Sequence, residues 1–274
     1  MASFDNIPPQ PELQAAPFPL VPPPIDDGKN AVVDLIDVGL IIGVAFAAYF
    51  VCGVIAGIVY LIAHPGQNPQ DLAKVLAHNT WFVLSVELAV YLLLIGFMAF
   101  LVWLRHRTSL GRAIRWNIPT RTHAVYALAG GLGLAVFSDV AQVVFSRWIP
   151  KSLPITEFFQ DRNSALLLAG FGVLIAPLVE EILFRGFLYP ALSRWSGVVP
   201  AVIITSAGFA LLHGAQLAYS LVPLLLIFVV GAVLTITRAV TKSVATSVLV
   251  HMAYNFTLFL QFYIGTHGFR NLQG

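Results

Sequence analysis

The sequence carries little charge. Only 10% of its 274 residues are Asp, Glu, Lys or Arg, against 58% hydrophobic, and the mean hydropathy is +0.83. A soluble domain has roughly 25% charged residues, so this chain lacks the polar surface needed to cover a globule in water. That excludes a cytosolic enzyme. Excess charge of one sign is missing too: 15 Lys and Arg stand against 13 Asp and Glu, a formal net charge of +2. The basic footprint of a nucleic-acid binder is therefore absent. Cysteine occurs once, as Cys52 inside an apolar run, so no intramolecular disulfide is available. No segment shows strand alternation long enough for a membrane barrel, and helices are the other structure that satisfies its own backbone in lipid. What remains is an all-α fold, a polytopic transmembrane helical bundle.

The apolar residues fall in seven stretches, at about 35–63, 81–104, 122–146, 164–192, 198–213, 218–237 and 243–264. A bilayer core roughly 30 Å thick needs about 20 apolar residues per helix. The fifth stretch is short and the fourth long, so one additional short helix would bring the count from seven to eight. Residues 1–30 differ from the rest, with eight of the 17 prolines between Pro8 and Pro24. Such a segment favours extended polyproline conformations and forms no packed core. It has neither a basic n-region nor a continuous apolar h-region, so it does not read as a signal peptide. The expected organisation is a disordered Pro-rich cytoplasmic tail, 1–30, followed by one membrane-embedded domain, 31–274.

Lys and Arg accumulate on the cytoplasmic side of membrane helices. The connection after the second stretch holds Arg105, Arg107, Arg112, Arg115 and Arg121. Placing it in the cytoplasm puts Lys29, Arg194, Arg238 and Lys242 there as well. Lys74, Arg147, Lys151, Arg162 and Arg270 fall outside, nine against five with Arg185 set apart as intramembrane. The N-terminus is then cytoplasmic. No internal repeat suggests a transporter built from inverted halves.

The polar groups inside the apolar runs carry the functional information. The fourth stretch contains Glu180, Glu181 and Arg185 within six residues. Each costs about 2.5–3.5 kcal/mol near the centre of a membrane helix, so together they must face a protein interior or a wet cavity. Glu181 and Arg185 lie four apart and can neutralise each other, and an ion pair that holds a helix is by itself a sufficient explanation for them. Glu180 points about 100° away and has no local cation. Desolvation disfavours its charged form and suits it to general acid–base work. His213 ends the fifth stretch, and His251 and Asn255 lie one turn apart on the seventh, where a polar pair also serves as helix–helix glue. Glu180 and His213 each lie about 16 residues, roughly 24 Å, from a shared turn at Ser196-Gly197, so they reach matching depth. Glu87 and Asp139 are also intramembrane and either can line a cavity or bond a neighbouring helix. Trp81, Trp103, Trp116, Trp148 and Trp195 sit near span ends, as interface anchors do.

Glu180-Glu181-x-x-x-Arg185, Phe209-x-x-x-His213 and His251-x-x-x-Asn255, each on its own helix, resemble the CPBP family of CAAX proteases and bacteriocin-processing (Abi) proteins. Its eukaryotic members are type II CAAX prenyl endopeptidases. The resemblance covers about 164–264. It implies an intramembrane endopeptidase acting on a membrane-associated peptide or protein, with a prenylated CAAX-type substrate among the alternatives. Glu180 and His213 would activate a water, His251 and Asn255 would stabilise the oxyanion, and Glu181 with Arg185 would order the site. No cofactor is favoured. A zinc-dependent version would use Glu180, His213 and His251 as ligands, and a non-catalytic scaffold or immunity protein is the rival from another class. The family usually shows eight spans and no proline tail, and this chain departs from it in both. The expected partners are substrate and lipid, not nucleic acid, and the expected location is a bacterial inner membrane.

Overall fold

The structure is a computed structural model that describes residues 31–66 and 78–272. The Pro-rich segment 1–30 and Lys74 lie outside the described residues. Among these, every regular element is helical. Seven long helices follow in order: α1 Leu35–Ala63, α2 Thr80–His106, α3 Arg121–Val144, α4 Arg162–Ser196, α5 Val198–Leu212, α6 Leu221–Thr241 and α7 Val244–Gly265. Six are long and apolar enough to cross a membrane, and α5 is a shorter apolar helix. The all-α bundle read from the sequence is thus borne out, with helix ends within a few residues of the apolar runs.

Local chemistry sets those ends. Asp34, Asn79, Thr120, Asp161 and Ser243 each accept from the backbone N–H three residues on, satisfying a donor the first turn leaves open. Arg107 and Lys242 stop α2 and α6 in the left-handed conformation. The fourth helix extends a few residues past the expected 164–192 at both ends, and it carries two π-helical turns, Phe171–Ile175 and Ile182–Leu188, just before Pro177 and Pro190.

The helices alternate in direction and so define two faces. The first, here the arginine face, gathers the start of α1, the α2–α3 connection and the turns at Gly197 and Lys242. Asp37, fully buried, accepts from Arg105 and from His106 Nε2 at 2.8 Å, which ties α1 to the end of α2. Partial burial pushes the neighbouring Asp34 carboxyl up, but the backbone N–H groups of Asp37 and Ile36 and the Arg105 guanidinium hold it below the ordinary carboxylate value. The α2–α3 connection also closes the bundle from below. Ile114 is 2% exposed and packs on Gly186, while Asn117 Nδ2 donates to the Lys242 carbonyl at 2.9 Å.

α3 and α7 approach closely at Gly131. A Cβ at Gly131 would fall 2.5 Å from the Val250 carbonyl oxygen and 2.6 Å from Ala253 Cβ. Backbone cannot yield as a flexible side chain does, so Gly131→Ala must push α7 away. We expect a loss of about 1–3 kcal/mol, read as a lower melting temperature in detergent. Because α7 carries His251 and Asn255, activity should fall with it.

Candidate active site

The fourth helix, with its two π turns, builds the centre of the site. Glu181 and Arg185 are fully buried and paired at 2.8 Å. A buried guanidinium needs acceptors on all sides, and Arg185 finds them on α6: Nη2 donates to the Gly231 carbonyl at 2.8 Å and Nε to Thr235 Oγ1 at 3.2 Å. The Phe209 ring covers it, with Arg185 Cζ 4.6 Å from the centroid. Glu181 in turn accepts from Arg185, from His251 Nδ1 at 3.0 Å and from Ser247 Oγ at 2.6 Å. The ion pair thus joins three helices into a polar knot, Glu181 reaching α7 and Arg185 reaching α6.

That knot orients the two histidines' neighbourhood. A carboxylate only accepts, so His251 carries its proton on Nδ1 and presents Nε2 to the interior, 3.9 Å from Glu180 Oε2. His213 is held in the same manner: its Nδ1 donates to the Phe209 carbonyl at 2.9 Å, leaving Nε2 free. The Phe209 ring stands between them, with centroids 4.8 Å from His213 and 5.7 Å from His251. Asn255 Nδ2 donates to the Gly172 carbonyl at 2.7 Å. That carbonyl is available for a definite reason. In the π turn the Ala176 N–H reaches back five residues to Phe171, and the next donor in that register would be Pro177, which has no N–H. One amide hydrogen of Asn255 is then spent on orientation and the other remains.

These groups surround one cavity of about 240 Å³, lined among others by Glu180, His213, His251 and Asn255. The structure therefore brings Glu180 and His213, which depth arithmetic placed at one level, together with His251 and Asn255. The Arg185 guanidinium pairs with Glu181 rather than with Glu180, and His251 approaches Glu180 from α7. Of the two less certain acids, Glu87 lines the cavity and accepts from Tyr91 Oη at 2.9 Å, whereas Asp139 is not part of the lining. Sequence reading missed Ser247, Thr235 and the Gly172 and Gly231 carbonyls. Ser247 had a signal: it continues the four-residue spacing of His251 and Asn255 along one face of α7. All five tryptophans are exposed, near the two ends of the bundle.

The donor set also bears on a metal. Among the described residues no three His, Cys, Asp or Glu side chains form a group that could hold a metal ion.

The family model for Rce1-like type II CAAX prenyl endopeptidases matches residues 162–257, about a third of the chain. The match runs from the start of α4 into α7 and contains Glu180, Glu181, Arg185, His213, His251 and Asn255. The resemblance to CAAX proteases read from the three motifs is borne out over this segment. No curated protein and no solved structure matches the chain.

Proposed function

We propose that the protein is a glutamate-type intramembrane endopeptidase that hydrolyses a peptide bond in a membrane-associated polypeptide. The observation that carries this reading is Glu180, held off its own helix's ion pair, in one cavity with the free Nε2 of His213. Glu180 and His213 take the proton of a water as it attacks the scissile carbonyl, a role typically contributing about 10²–10⁴-fold. The second amide hydrogen of Asn255 donates to the developing oxyanion. His251 faces the same cavity, and to serve as a second donor it would need a proton on Nε2 as well as the one held on Nδ1. Each such donor is worth roughly 2.7–4 kcal/mol when preorganised. The departing amine then collects its proton from Glu180 or His213.

One observation favours the zinc reading: a carboxylate behind a histidine, as Glu181 stands behind His251, also recurs behind metal-bound histidines. The two readings separate on a single measurement. Cleavage by purified protein in liposomes is expected to be unchanged by a strong zinc chelator, with less than stoichiometric zinc in the active preparation. Loss of cleavage in chelator and its return with added Zn²⁺ would install the metal mechanism instead.

A further inference from the structure

The cavity opens toward one face of the bundle. Its lining reaches that face through Leu84 and Glu87 in the first third of α2, and through Phe209 and His213 at the end of α5. Toward the arginine face it is shut by the buried knot of Glu181, Arg185 and Ser247, under which the Ile114 segment packs. Ile114 of the arginine-face connection packs on Gly186, five residues beyond Glu181, so the floor is closed by packed side chains. At the other end the rim is loop: Ile155, the half-buried Phe159 and the exposed Gln216. These loops are tied in place, the Pro154–Phe158 turn packing on the Ala215–Leu217 turn and Thr80 Oγ1 donating to the Phe158 carbonyl at 2.7 Å.

Charge identifies the faces. Among the described residues eight basic side chains mark the arginine face: Arg105, Arg107, Arg112, Arg115, Arg121, Arg194, Arg238 and Lys242. Four, Arg147, Lys151, Arg162 and Arg270, mark the rim side. Basic connections remain in the cytoplasm. We infer that the cavity is served from the non-cytoplasmic side, and that its substrate is an extended segment of a membrane-anchored polypeptide exposed on that side. The substrate half of this inference rests on the peptidase reading; the side on which the mouth lies does not.

Single cysteines test both halves in a Cys52→Ala background. Gln216→Cys reports the mouth, Ser152→Cys the exposed loop on the same face, and Ser109→Cys the arginine face, where Ser109 makes no side-chain cap bond. In sealed cells a membrane-impermeant maleimide should label Gln216→Cys and Ser152→Cys, and should label Ser109→Cys only after permeabilisation. The reverse pattern, or labelling of Ser109→Cys as fast as the others in sealed cells, would overturn the inference. External labelling at Gln216→Cys should also lower cleavage at least about tenfold by obstructing substrate placement, with labelled Ser152→Cys unaffected. Full cleavage with the mouth labelled would overturn the entry route. An absence of cleavage before any labelling would instead contradict the peptidase reading, and the labelling pattern would still decide the side.

Discussion

Glu180→Gln is expected to lower peptide hydrolysis by about 10²–10⁴-fold without lowering the melting temperature of the protein. Gln keeps the shape and the polarity of the side chain, so packing around it should persist. What it loses is the ability to hold a proton taken from water. The buried ion pair does not involve Glu180, whose nearest basic atom is His251 Nε2 at 3.9 Å, too long for a hydrogen bond. Little structural energy therefore depends on its charge. A purely structural carboxylate would give the opposite result, a destabilised protein whose remaining folded fraction works normally. Measuring cleavage rate and thermal unfolding on the same preparation separates the two.

Arg185→Ala should produce that opposite pattern. It leaves Glu181, fully buried, without its cation, and it empties the space beside Thr235 and Phe209. Removing one partner of a buried pair typically costs about 3–5 kcal/mol, which is a large share of the net stability of an ordinary domain. The remaining donors to Glu181, His251 and Ser247, cannot replace a guanidinium's charge. Replacing both partners by apolar residues of similar size, Glu181→Leu with Arg185→Met, should recover much of the stability, because no uncompensated charge is then left. It should not recover activity, since His251 would have lost the carboxylate that fixes its Nδ1 proton. A thermal melt in detergent checks the first statement and a cleavage assay the second.

The helices were legible because lipid makes them so. A run of apolar residues bounded by Asp34, Asn79 or Ser243 leaves few alternatives, and the observed starts fall at those caps. The polar site was legible for the same reason: Glu180, Glu181, Arg185, His251 and Asn255 are costly in an apolar run, and that cost points to an interior. The partners that impose no such cost stayed hidden. Ser247 and Thr235 are common in membrane helices, and their importance appears only when Glu181 and Arg185 are seen to lack further donors and acceptors. The role of Gly172 depends on a π turn that places its carbonyl opposite Pro177, a register that apolar periodicity does not encode. Sequence reading gave Glu87 and Asp139 equal standing, because both are lone acids on apolar helices. Only the rotation of α2 and α3 in the packed bundle turns the first toward the cavity.

The central claim, that this cavity cleaves a peptide bond with Glu180, is tested most directly by terminal-peptide mass spectrometry of native-host membranes. Wild type and Glu180→Gln are compared at matched expression and confirmed insertion. New termini or released peptides that appear with wild type and vanish with Glu180→Gln are the predicted result, and they would name the substrate. Identical profiles from two stably inserted proteins would contradict it, and would leave the three motifs as the polar core of a membrane scaffold.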